Sequence, residues 1–416
     1  MGPVGSSGPA KECPVTVRPP LATVLAAALA GSAVVALPAA AVGPDGSVTR
    51  DSVSSRPAGT VVKAERLKKS LWVPKTTRAA YKLTYVTTNA AGRRALSTGT
   101  VFIPKGKAPR GGWPVISWTH GTSGLGDACA PSRMGPTLPG RDLAYLRTWM
   151  SQGYAIVATD YAGLGTADLP AYLNSSSEAH NAVDMVRAGH SYTTRRLPAS
   201  QRLSNRWVVV GQSQGGGAAI STARHATAFS GRDLRYLGAV GTGVPAYIEG
   251  YVSLLGPKVP PVALPPGLTA YLTYIVESLR RWRPDLGIDG ILTSTGRKYL
   301  KLARTSCVVA FDKRLKGVSV GDYFTRPLAA LPNWTATING YLKMPESGFD
   351  KPFFMGHGLT DTDVPYAATA AYAARLKANA QPVTFITYRT DHSGALTRSQ
   401  ADTLPFVRAL FARPGR

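Results

Sequence analysis

Acidic residues are scarce in this chain. Asp and Glu number 23 against 48 Lys and Arg in 416 residues, a formal charge of +25 at neutral pH. That balance excludes an acidic solvating protein and implies attraction to anionic surfaces such as acidic lipid or cell-wall polymer. The basic residues are dispersed, and their densest groups, RLKKS (66–70) and RRWR (280–283), are short. With no long basic block and no nucleic-acid motif, no nucleic-acid partner is expected, and the charge reads as a solvated surface. Charged residues make up only 17% and hydrophobic ones 44%, which excludes wholesale disorder and supplies a large core. The length suits one large α/β domain carrying an insertion.

Cysteine is rarer still, with only Cys13, Cys129 and Cys307, and their spacing fits no metal site. Long apolar runs are nearly absent. The exception is residues 21–37, LATVLAAALAGSAVVAL, which follows Lys11 and Arg18 and precedes the small residues Ala39 to Ala41. This is the plan of a secretory signal, with residues 1–41 expected to be removed. A membrane anchor is the competing reading, and the stretch is short and Ala-rich for a span. Loss of Cys13 would leave Cys129 and Cys307, a pair suited to one disulfide in an oxidising compartment or to two free thiols. Two glycosylation sequons are present, NSS at 174–176 and NWT at 333–335.

Residues 42–75, rich in Ser, Pro and basic side chains, read as a leader or strap. Strand patterns then occupy 81–88 and 96–104, joined by NAAGRRA as a hairpin, and 113–120 and 153–160 follow as short buried strands. A helix is expected over 177–192 with Ser177 as its cap. Strand RWVVVG, helix GGGAAISTARHATAF and strand LRYLGAVGTG come next. The rhythm stops between 245 and 345, a stretch too long for a loop and therefore expected to be a helical cap. It resumes with strand 351–358, helix 366–380, strand 382–388 and a last helix within 395–412. Strands alternating with helices predict a mostly parallel sheet covered on both faces. The expected domains are a core over 76–244 and 346–416, interrupted by the cap.

Within this pattern Gly211-Gln212-Ser213-Gln214-Gly215 is a G-x-S-x-G turn between a strand and a helix. A sharp turn there strains the serine backbone and leaves no room for side chains at its neighbours, which is what the glycines supply. The alternatives are a packing turn or a phosphate cradle, but no P-loop lysine follows and G-x-G-x-x-G spacing is missing. Ser213 is therefore the candidate nucleophile. The Gln214 N–H, at a helix N-terminus, is one candidate oxyanion donor, and an N–H of Thr122 or Gly121 in the HGTSG loop is the other.

A serine needs a base and an orienting acid. Only six histidines exist. His180, His190 and His225 lie in helical stretches, His120 precedes the turn, and His357 ends a strand as a tight exit. His392, in YRTDHSGAL, follows a late strand and is the candidate base. The acid candidates are Asp361 and Asp363 in HGLTDTDVP, with Asp391 a third.

GQSQGG around Ser213, ATDYAGLGT at 158–166, the HGT loop and HGLTDTDVP together resemble the α/β-hydrolase superfamily, and within it the secretory lipases, over about residues 70–412. The form H-G-x-x-D-x-x-V-P, frequent in that superfamily, selects Asp361 and leaves Asp363 at the helix start. The resemblance implies a secreted carboxylic-ester hydrolase acting on acylglycerols, with a helical cap over an acyl tunnel and a disulfide near the oxyanion loop, for which Cys129 and Cys307 are placed. It implies no metal or organic cofactor and no obligate protein partner. The rivals are a serine aminopeptidase or oligopeptidase of the same superfamily, an acyltransferase, and a non-catalytic binding protein on this scaffold. A peptidase needs acids near the cap to hold an amine, and those available are Glu249, Glu277, Asp285, Asp289, Asp312, Asp322 and Glu346.

Overall fold

Trp207, Val208, Val209 and Val210 are all fully buried, yet they serve two different cores. Successive strand residues face opposite sides of a sheet. Trp207 and Val209 pack with Tyr85, Val157 and Ala219, while Val208 and Val210 pack with Ile116, Trp149 and Val407. An uninterrupted apolar run is what a central strand covered on both faces requires.

The computed structural model describes residues 53–413. The expected signal over 1–41 and the start of the expected leader lie outside the described residues. Strands β1 (Val61–Arg66), β2 (Thr77–Thr88) and β3 (Arg94–Pro104) form an antiparallel edge. β4 (Trp113–Thr119), β5 (Ala155–Thr159), β6 (Leu203–Gln212), β7 (Arg235–Thr242), β8 (Phe353–Gly358) and β9 (Val383–Tyr388) complete a nine-stranded sheet in the order β1-β2-β3-β5-β4-β6-β7-β8-β9. From β5 to β9 all pairs are parallel. The swap of β4 and β5 puts β6 between β4 and β7, where the strand order reverses. In open parallel sheets, sites form at the carboxyl ends of strands at such a point.

The helices are α1 (Pro131–Met134), α2 (Pro139–Ser151), α3 (Ser175–Arg196) and α4 (Gln214–Ser230), with α10 (Tyr366–Ala378), α11 (His392–Arg398) and α12 (Gln400–Ala412) after the insertion. Between β7 and β8 lie α5 (Ile248–Ser253), α6 (Pro266–Trp282), α7 (Ser294–Ala303), α8 (Val308–Arg314) and α9 (Trp334–Leu342). They enclose their own apolar cluster, with Tyr274, Phe311, Tyr323 and Trp334 among its members. No helix of the described residues is long and apolar enough to cross a membrane.

Three local expectations are corrected. The stretch assigned to a leader holds strand β1, whose largely exposed residues lack the alternation that marks a half-buried strand. Helix α3 starts at Ser175, and its cap is Asn174, whose side chain accepts the Ser177 N–H at 3.0 Å. Asn174 is buried and its amide donates to the Tyr341 carbonyl, so the first sequon is engaged in packing. The last helix is two helices, with Asp391 capping the first through its bond to the Gly394 N–H at 2.7 Å. That bond accounts for Asp391 and leaves the acid position to the residues after β8.

Candidate active site

Strand β6 ends at Gln212 and helix α4 begins at Gln214, leaving Ser213 alone in the turn. Its backbone is at φ 60° and ψ −126°, a region that disfavours side chains by about 1–3 kcal/mol. The surroundings hold it there. The Ser213 N–H donates to the Thr242 carbonyl at 2.9 Å, and its carbonyl accepts from Gly217 at 3.0 Å. A Cβ at Gly215 would collide with the Thr119 carbonyl, so the close approach of α4 to β4 requires glycine.

His392 opens α11 just beyond β9, and its Nδ1 is 2.6 Å from Asp361 Oδ2. Asp361 Oδ1 accepts the N–H groups of Asp363 (3.0 Å) and Val364 (2.8 Å), so the carboxylate is fixed on both oxygens. With its Nδ1 proton directed to Asp361, His392 keeps Nε2 as an acceptor, and that atom is buried without a hydrogen-bond partner. Gln212 donates its side-chain amide to the His392 carbonyl at 3.2 Å, tying the turn to the histidine. A Cβ at Gly243 would lie 2.7 Å from His392 Cε1, so a larger residue there would displace the ring.

The structure pairs His392 with Asp361 after the ends of β9 and β8, and the Gln212 bond places the histidine beside the turn that carries Ser213. Asp363 lies beside them and lines a cavity together with Ser213 and Gln214. Asp361, Asp363 and His392 bring one ligand atom each within 4.8 Å of one another. The oxygens of Asp361 and the Nδ1 of His392 are spent on the bonds above, an arrangement suited to proton movement rather than to holding a cation.

The HGTSG loop lies against the turn. An ideal Cβ at Gly121 would be 3.4 Å from Ser213 Cβ, and Thr122 Oγ1 is 2.6 Å from the Tyr172 hydroxyl. The Gln214 N–H is the first of the α4 donors that have no partner within the helix. The disulfide Cys129–Cys307, with Cα atoms 5.2 Å apart, joins the segment after this loop to the start of α8. Beside it the Val308 N–H donates to the Ser123 carbonyl at 2.9 Å.

Two buried residues near the site had no chemical part in the sequence reading. His357 is the penultimate residue of β8, and its Nε2 is 3.1 Å from the Val364 carbonyl and 3.3 Å from Asp361 Oδ2. Burial lowers its pKa, against the opposing pull of the Asp361 charge, so the ring is neutral and donates. Its position four residues before Asp361 was a usable signal. Glu178, on the first turn of α3, accepts the Gln214 side-chain amide at 2.7 Å and the Leu173 N–H at 3.2 Å. Burial pushes its carboxyl up to about 8. No pattern in the sequence marked it.

His120 is buried after β4, with Nδ1 2.7 Å from the Gly121 carbonyl and its pKa lowered by burial. His180 and His225 both stack with Phe229, and His190 Nδ1 is 3.0 Å from the Leu203 carbonyl. All four histidines have packing or hydrogen-bonding roles apart from the His392 pair.

The cavity at Ser213 measures about 360 Å³ and runs under the inserted helices. Its walls include Leu255, Leu268, Leu272 and Ile275, and its one carboxylate is Asp363.

The sheet order, the strained serine turn and the position of the histidine and aspartate after late strands define an α/β-hydrolase fold. Solved structures agree. The chain is similar to lipase A from Candida antarctica in its closed state, at 20% identity and a TM-score of 0.69 over 88% of this chain and 85% of that one. It is likewise similar to the rice cell wall degrading esterase LipA from Xanthomonas oryzae, at 18% identity and a TM-score of 0.66 over 85% and 98%. No protein-family model and no curated protein sequence matches the chain.

Proposed function

We propose that this chain is a secreted serine hydrolase of carboxylic esters, a lipase or esterase acting on acylglycerol-like substrates. The observation that carries this reading is a single cavity, almost wholly apolar, that has Ser213 in its wall while the hydrogen-bonded His392–Asp361 pair lies beside the same turn. An acyl chain suits such walls, and burying it contributes about 0.8 kcal/mol per methylene.

In this mechanism the Ser213 hydroxyl attacks the ester carbonyl as His392 Nε2 takes its proton. The Gln214 N–H and one from Thr122 or Gly121 receive the developing oxyanion, each worth about 3 kcal/mol in the transition state. His392 then protonates the departing alcohol, and the acyl group stays on Ser213. Water, deprotonated by the same Nε2, releases the acid. Asp361 holds the imidazole tautomer and stabilises its cation, and His357 supports Asp361 from behind.

The peptidase alternative is disfavoured because five of the seven acids of the insertion, all but Glu249 and Asp312, are held by cations. Glu277 pairs with Arg280 and Arg304, Asp285 with Arg283, Asp289 with Arg280, Asp322 with Lys258, and Glu346 with Lys343. None of the seven lines the cavity. We assign the inserted helices to a cap over the acyl site. Export is supported by the disulfide together with the signal-like N-terminal sequence.

The test is hydrolysis of p-nitrophenyl esters from acetate to palmitate, with alanyl-p-nitroanilide beside them. Ester turnover that disappears in Ser213→Ala supports the proposal. Turnover of the anilide alone would move the chain to the peptidases, and no ester turnover at all would contradict the proposal.

A further inference from the structure

Both halves of the oxyanion site are anchored to one buried carboxyl oxygen. Glu178 Oε1 accepts the side-chain amide of Gln214 and the backbone N–H of Leu173. Gln214 carries the N–H that follows the nucleophile. Leu173 directly follows Tyr172, whose hydroxyl meets Thr122 Oγ1 in the facing loop. One oxygen of α3 therefore reaches the elbow on one side and, through Tyr172, the HGTSG loop on the other.

The segment it holds would not stay in place unaided. Leu173 has φ 58°, a left-handed backbone that a leucine adopts only when its surroundings enforce it. Tyr172, Leu173 and Gln214 all line the cavity, so a shift of any of them alters the space in which the oxyanion forms. Glu178 itself is buried beneath them. A buried carboxyl whose partners are an amide and a backbone N–H rather than a cation is a poor structural element, since burial disfavours its charged form and an apolar residue would pack there without that penalty.

We infer that Glu178 is a positioning residue: it locks the Gln214 and Tyr172–Thr122 donor elements at the spacing the tetrahedral intermediate needs. This inference rests on the ester-hydrolase reading. Glu178 touches no reacting atom and acts through Gln214 and Leu173. Its acceptor oxygen is the feature that matters, so a glutamine, which keeps a carbonyl oxygen there, preserves the function.

The experiment compares the wild type, Glu178→Leu, Gln214→Leu, the double variant and Glu178→Gln on p-nitrophenyl butyrate at pH 7. Active sites are counted by titration with a p-nitrophenyl phosphonate, so that misfolded protein does not enter the rates. Glu178→Leu and Gln214→Leu are each expected to lower kcat about 10- to 100-fold with KM within about threefold of wild type. The double variant should be no worse than about threefold below the lower single, and Glu178→Gln should stay within about threefold of wild type. A kcat per active site unchanged in Glu178→Leu overturns the inference, as do losses that multiply in the double variant. If Glu178→Leu yields no titratable sites, Gln214→Leu and Glu178→Gln decide it: an unaffected Gln214→Leu, or a Glu178→Gln enzyme as slow as Gln214→Leu, overturns the inference. An inactive wild type defeats the ester-hydrolase reading instead, a result separate from any of these.

Discussion

His392 Nδ1 and Asp361 Oδ2 are 2.6 Å apart, and the second Asp361 oxygen is occupied by two backbone N–H groups. The carboxylate therefore cannot rotate away from the ring. In Asp361→Asn the carbonyl oxygen would keep the two N–H bonds and the amide nitrogen would face His392, forcing Nδ1 to become an acceptor. The proton would move to Nε2, the atom needed as base. We expect kcat for ester hydrolysis to fall about 10³- to 10⁴-fold with little change in KM or in melting temperature. A loss under tenfold would show that Asp361 does not orient the base.

The cavity wall sets which acyl chains fit. Ile275, on α6, is buried and lines it. Ile275→Trp adds bulk to the wall at a cost of about 1–3 kcal/mol in stability. Measured as kcat/KM across p-nitrophenyl esters, the preferred chain should shorten, with the acetate rate within about threefold of wild type. An unchanged profile would place the acyl chain elsewhere.

Stability should depend on pH through Glu178. Burial raises its folded pKa to about 8 from an ordinary 4.5. Between those values the unfolded chain has lost the proton that the folded chain retains, so stability falls as pH rises from about 4.5 to 8 and levels off above. Asp184, pushed up by burial to about 6 despite its bond to Arg187, acts in the same direction over a narrower window. Thermal melts from pH 5 to 8.5 should show the wild type losing stability more steeply than Glu178→Gln. Parallel curves would mean that Glu178 is ionised in the folded protein.

The Cys129–Cys307 bond closes a chain separation of 178 residues and fastens α8 to the segment after the HGTSG loop. Cross-links of this kind contribute about 2–4 kcal/mol. Replacing both cysteines by serine should lower the melting temperature by roughly 5–10 °C, measured by differential scanning fluorimetry. A shift under 2 °C would mean that the Ser123–Val308 bond and the apolar contacts suffice.

How far the sequence led depends on whether a signal was local. Glycine spacing and chain order point to Ser213 and His392, and the superfamily resemblance selects Asp361 over Asp363. The central strands were legible as well, because β6 carries the uninterrupted buried run Trp207, Val208, Val209 and Val210. Strand β1 was not, since VVKAER is an edge with no buried residue and its last four residues exposed. The α3 boundary slipped because Asn174, Ser175, Ser176 and Ser177 all favour caps, and only tertiary contacts choose among them. Glu178 was hidden for a different reason. It sits in an ordinary helical first turn, where an acid is commonplace, and its partners Gln214 and Leu173 come from elsewhere in the fold. His357 lay within a motif already noticed, but its contact with Asp361 depends on how the chain turns after β8.

The most direct test of the central claim is covalent labelling. The purified protein is incubated with an alkyl fluorophosphonate and weighed intact, then digested to locate the adduct. The account predicts a single adduct on Ser213 of the wild type, none on Ser213→Ala, and labelling of His392→Ala slowed at least about 100-fold. Equal labelling of wild type and Ser213→Ala, or an adduct on another residue, would contradict it.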